Sequence, residues 1–216
     1  MANRPVFEEL DRKPFYSEFP VEFTYHGGFS VSQKQRNITE IHEAYHRYKP
    51  DRKILEISSK SNDPMGISLS AFNLMIRVPS LEKEVPVECV FQAGKIFEHG
   101  GPYKDLLESS PKAAKKDERL RNSGRITAFE FEGESFPTIP HTLFYDWLYI
   151  KALLENPEKA EILSEYQAFS DVEFNPKKSI NCQARTAAVF VSLYNLGFLE
   201  RAKDRDSFYE LITKGI

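Results

Sequence analysis

Apolar residues recur along this chain at two different spacings, and the change near Pro86 separates a strand-rich beginning from a helix-rich remainder. Val21–Tyr25 reads as a short strand closed by Gly27 and Gly28, with Phe29–Val31 opening the second arm of a hairpin. Within Ile38–Tyr48, Ile38, Ile41 and Tyr45 stand three and four apart, a helical stripe that Pro50 stops. Lys53–Ser59 reads as a strand and Ser61–Gly66 as a turn, while Ile67–Val78 fits strand or helix by period alone. Met1–Pro20 mixes proline, charge and phenylalanine without a sustained period, so an irregular arm over the core is expected there. Beyond Pro86, helices are predicted at Val87–Phe97, Pro111–Arg121, His141–Glu155, Pro157–Tyr166, Ser179–Leu196 and Ser207–Ile212, with Ile126–Phe131 as a strand. The fold class that follows is α+β: a mainly α-helical single domain, with a small antiparallel sheet made from the early strands and Ile126–Phe131.

Polar residues inside the apolar helices carry the chemical information. On a helical wheel, Glu88, Gln92 and Lys95 fall on one narrow stripe of Val87–Phe97, and apolar residues cover the rest. Such a seam either lines a cavity or is the one strip facing water. In a cavity, a lysine can lose its proton and become a nucleophile, with a nearby carboxylate to move protons. In His141–Glu155, Asp146 projects between Leu153 and Ile150 and needs a partner there, structural or functional. Trp147 is either a platform for a stacked base or part of the core, and composition favours the core. Asn181, Arg185 and Ser192 make a third seam, preceded by the loop Asp171–Lys178.

Lys112, Lys115, Lys116 and Arg119 gather on one side of Pro111–Arg121, the best local basic face for nucleic-acid phosphates, although a run of this kind is usually a solvated surface. His42, Glu43 and His46 spell H-E-x-x-H, the zinc-peptidase arrangement. Arg47, Tyr48 and Lys49 follow at once and the remaining histidines are distant, so two surface histidines are expected instead.

Composition narrows these options. In 216 residues, 29 Lys and Arg face 32 Asp and Glu, a formal charge of −3, so any nucleic-acid contact must be local. Two cysteines, a start without an apolar leader and the lack of any apolar run of about 18 residues point to a soluble, cytoplasmic protein away from membranes.

The string E-C-V-F-Q-A-G-K at Glu88–Lys95 resembles the signature of the NADAR family. Leu69–Leu74 resembles the family's upstream Ser/Asn/Phe segment, Phe144–Trp147 its aromatic-acidic helix, and Asp171 with Ser179–Asn181 its closing motif. The longer strings FQAGKIFEHGGPYKDLL, KKDERLRNSG, FYDWLYIKALLENP and DVEFNPKKSINCQAR are most similar to the branch acting as antitoxin to DNA-guanine ADP-ribosyltransferase toxins. Cys89 departs from the many relatives that carry histidine there. The resemblance implies an N-terminal extension (1–58) packed on a catalytic domain (59–216). It also implies a hydrolase that frees ADP-ribose from the guanine amino group of DNA, without metal or cofactor. Lys95 would then form a Schiff base with the opened ribose, and Glu88 and Asp171 would transfer protons. Phe91 and Trp147 would stack on a base, with Asn73, Gln92, Asp146 and Asn181 among the substrate-binding residues. Two other readings stay open: an N-glycosidase acting on small riboflavin-pathway metabolites, and a non-catalytic protein that binds the toxin directly.

Overall fold

A computed structural model describes residues 1–215. The architecture is α+β with helix predominating, and the chain forms two compact units: Met1–Ser70 with the chain from Asn156 onward, and Ala71–Glu155. No helix among the described residues is long and apolar enough to cross a membrane.

The first unit is built on a four-stranded sheet. Strands β1 (Ala2–Glu9) and β2 (Tyr16–Phe23) pair antiparallel, and β3 (Ile54–Glu56) runs parallel to the late strand β9 (Ala168–Ser170), in the order β2-β1-β9-β3. The irregular arm expected at Met1–Pro20 is therefore a strand and part of a second. Its alternation is hidden because Val6, Phe7 and Glu8 are all buried, as in a strand covered on both faces. Two of its three prolines, Pro5 and Pro20, sit opposite each other in the register.

Helix α1 (Val31–His46) lays Ile38, Ile41 and Tyr45 on Val6, Val21 and Phe23. Phe29–Val31 is not a strand. Ser30 caps α1, accepting from the Gln33 backbone N–H while the Gln33 side chain returns to the Ser30 N–H. Helix α8 (Gln183–Asn195) packs against β1, β2 and β9, and its Ser192 Oγ accepts from Leu10 N and donates to the Phe15 carbonyl. Three short helices, α2 (Pro64–Ser68), α7 (Pro157–Leu163) and α9 (Leu199–Ala202), and a closing helix, α10 (Arg205–Lys214), complete this unit.

The second unit has a ribbon of β4 (Met75–Val78) and β5 (Lys83–Pro86) and a three-stranded antiparallel sheet of β6 (Lys95–Phe97), β7 (Ile126–Phe131) and β8 (Glu134–Phe136). The single small antiparallel sheet expected from the early strands and Ile126–Phe131 is thus three sheets, with the early strands β2 and β3 in one and β7 in another. Adjacency in a sheet depends on long-range pairing that period cannot report. Helix α6 (Leu143–Leu154) is buried on nearly every side and packs on α3 (Val87–Ala93). Between them Phe91 meets Tyr145 at 5.1 Å, and Phe144 meets Phe129 and Phe136 at 4.9 Å each.

Candidate functional site

Helix α3 stops at Ala93, four residues earlier than its apolar pattern predicts, because Gly94 brings the chain against β7. A Cβ at Gly94 would lie 2.4 Å from the Glu130 carbonyl oxygen and 2.8 Å from the Phe144 ring, so only glycine fits this crossing. Lys95 is consequently the first residue of β6 and not part of the helix. The polar stripe survives the break as a hydrogen-bonded chain. Lys95 Nζ donates to Gln92 Oε1 at 2.6 Å, and Gln92 Nε2 donates to Glu88 Oε1 at 2.8 Å. Glu88 and Gln92 are each 5% exposed, so this strip is not the water-facing side of α3.

Burial pulls the Lys95 ammonium down from 10.5 to about 8; the Glu88 carboxylate opposes this shift and the Lys115 ammonium adds to it. The amine lies over the Phe91 ring, 4.6 Å from its centroid. The shift brings the free lone pair that a nucleophilic amine requires within reach of neutral pH, with the ammonium still the major form at about pH 7. Two carbonyls of the preceding loop hold the start of α3: Glu88 N–H donates to Ala71 O and Val87 N–H to Leu74 O, both at 2.9 Å. That brings the loop carrying Asn73, which is exposed, to the Glu88 end of the chain.

Asp146 is buried on α6, next in sequence to Tyr145, whose ring meets Phe91 of α3. Trp147 is 4% exposed, lying against Phe131 and Phe136 with the Lys151 ammonium over its ring. This is the core position that composition favours. Cys89 is buried and donates to the Ser109 carbonyl, with burial raising its thiol to about 11.

The predicted basic helix Pro111–Arg121 is broken into α4 (Pro111–Lys116) and α5 (Arg119–Asn122). Asp117 makes the break, its Oδ1 accepting from both the Arg119 backbone N–H and the guanidinium at 2.9 Å. Arg119 also binds Asp105, so its charge is neutralised locally. Lys115 bends to Glu88 Oε1 at 3.5 Å, whereas Lys112 and Lys116 are exposed and form no ion pair among the described residues.

Asp171 and Asn181 belong to the other unit, in the chain after β9. Asp171 Oδ1 accepts from the backbone N–H groups of Glu173 and Phe174. Burial, with the nearby Glu56, raises its carboxyl from 3.8 to about 8. Glu56, which the sequence reading passed over, is buried and likewise raised by burial. Its carboxyl is held by Ser170 Oγ and by Val172 N, the residues on either side of Asp171. The signal for it was present, an acid inside the apolar run Ile54–Ile57.

His42, expected at the surface, faces inward against Ser170 Oγ at 2.9 Å, and burial lowers it to about 4. His46 turns away to the Arg52 carbonyl. No group of three or more His, Cys, Asp or Glu able to hold a metal ion occurs among the described residues. Asn181 stands two residues before α8 rather than on it, and its Oδ1 is buried without a hydrogen-bond partner.

A search of curated proteins gives no match. A family model described as DarT1-associated NADAR antitoxin matches residues 2–215, which takes in both units, the Lys95 chain and the Glu56–Asp171 pair. On that match, the chain belongs to the DarT1-associated NADAR antitoxin family.

Proposed function

We propose that this protein hydrolyses the N-glycosidic bond between ADP-ribose and the guanine amino group in DNA, reversing the modification made by the toxin with which its family is paired. The observation that carries this reading is Lys95: an amine that burial pulls down to about 8, close enough to neutral pH for its uncharged form to be populated, and held in place by the Gln92–Glu88 chain.

In the proposed reaction the Lys95 lone pair attacks the anomeric carbon of the ring-opened ribose. The bond from that carbon to the guanine nitrogen breaks, the guanine amine leaves with an added proton, and a carbon–nitrogen double bond to Lys95 remains. Water then adds to this Schiff base, releasing ADP-ribose as the aldehyde and restoring the amine, so one water is consumed per turnover. Glu88, one amide away from Lys95, suits the proton transfers on the nucleophile side. Asp171, protonated at neutral pH, suits donation to the departing amine. Asn181 Oδ1, buried and without a donor, would accept a ribose hydroxyl. Asn73, Gln92 and Phe91 would contact the sugar and base, and Lys112 and Lys116, exposed and without an ion pair among the described residues, would meet DNA phosphates.

Incubating the purified protein with an oligonucleotide carrying ADP-ribosylated guanine tests this directly. Free ADP-ribose and unmodified DNA are the expected products. Intact substrate, with cleavage only of small ribosylated metabolites, would overturn it.

A further inference from the structure

Lys115 groups by sequence with the DNA-facing cations, but its geometry turns it the other way. Its helix α4 is anchored by the Ser110 cap and by buried Ala114, and packs on α3. From there the ammonium reaches Glu88 Oε1 at 3.5 Å and lies over the Phe72 ring, 5.3 Å from its centroid. Phe72 sits between Ala71 and Leu74, whose carbonyls bind the first turn of α3. Two helices, α4 through Lys115 and α3 through Gln92, therefore meet at one Glu88 carboxylate oxygen, while the 71–74 loop holds the start of α3 and carries the ring beneath the Lys115 ammonium.

We propose that Lys115 is a positioning residue for the Glu88–Gln92–Lys95 chain, fixing the Glu88 carboxylate and biasing Lys95 toward its uncharged, nucleophilic form. This deepens the glycosidase reading and rests on it for the reason a neutral amine is needed. The charged groups acting on Lys95 are Glu88 from α3 and Lys115 from α4, with opposite signs. Removing the Lys115 charge has two effects in the same direction. The like charge that disfavours the Lys95 ammonium is lost, and the Glu88 carboxylate, no longer shared, is left to stabilise it.

The test measures Lys95 itself, without substrate. Carbamylation by cyanate, a small reagent that attacks uncharged amines, is followed at Lys95 by peptide mass spectrometry across the neutral and alkaline range. The full-length protein is compared with Lys115→Met, which keeps the stem on Phe72, and Lys115→Arg, which keeps the charge. Because Lys115 is largely exposed, both variants should fold, which thermal unfolding verifies.

The expected result is an upward shift of the Lys95 midpoint by about half a pH unit or more in Lys115→Met, and recovery in Lys115→Arg. An unchanged midpoint in folded Lys115→Met overturns the proposal, even where hydrolysis of DNA is weakened, since a phosphate contact alone would do that. A shifted midpoint in a protein that hydrolyses no ADP-ribosylated guanine supports the positioning role and counts against the glycosidase reading, so the two failures stay distinct.

Discussion

In the unit of residues 71–155 burial acts on an amine, and in the other unit it acts on two carboxylic acids. Lys95 is pulled down to about 8 and Asp171 is pushed up to about 8. One physical cause, the cost of keeping charge away from water, produces both shifts, because it always favours the uncharged form. For lysine that form is a nucleophile; for aspartic acid it is a proton donor. The difference lies in the neighbours. Lys95 has an acid and a cation acting on it in opposition, whereas Asp171 has a second acid, Glu56, that adds to the shift. Each unit thus holds a titratable group that the same cause moves toward neutral pH.

The sharpest way to break the comparison is to remove the amine. Lys95→Ala should lower hydrolysis of ADP-ribosylated guanine by about a thousandfold or more while leaving the thermal unfolding transition in place. Steady-state release of ADP-ribose measures this.

On the carboxylate side, Glu56→Ala leaves the Ser170 hydroxyl and the Val172 N–H without their acceptor in a buried place. A loss of about 2–4 kcal/mol in denaturant unfolding is expected, and less for Glu56→Gln, which keeps an oxygen there.

Stability against pH separates the two regions by sign. The Asp171 carboxyl is raised when folded, so its contribution is full below about pH 4 and is lost as pH climbs toward 8. Lys95 is lowered when folded, so stability recovers as pH rises from about 8 toward 10.5. Asp171→Asn should flatten the fall by about 1 kcal/mol or more and leave the rise, with Lys95→Met doing the converse.

The smallest effects belong to the basic segment. Arg119→Ala should change DNA affinity by less than about twofold, its guanidinium being occupied by Asp105 and Asp117, whereas Lys112→Glu with Lys116→Glu should raise KM for a DNA substrate and steepen nothing for a nucleoside-sized one.

Much of this was legible from residue pattern, and the failures have physical reasons. The wheel through Val87–Phe97 singled out Glu88, Gln92 and Lys95, and they do form one hydrogen-bonded chain. The helix that justified the wheel ends before Lys95, because a close approach at Gly94 is a tertiary fact that no helical period contains. β7 and α6 announced themselves through local periodicity. β1 and β9 did not, since strands buried on both faces lose their alternation. The basic helix failed at Asp117, whose side chain competes for the backbone N–H that a continuous helix would use. Glu56 is a single acid in a short apolar strand, and His42 lies in a largely polar helix, where only the sheet packed beneath it distinguishes an inward histidine from a surface one.

The most direct test of the account is chemical capture of the intermediate. The protein is mixed with DNA carrying ADP-ribosylated guanine in the presence of borohydride, and its peptides are mapped by mass spectrometry. The account predicts a reduced ADP-ribosyl adduct on Lys95, absent from Lys95→Ala. Continued hydrolysis with no adduct at Lys95, or an adduct on another residue, would contradict it.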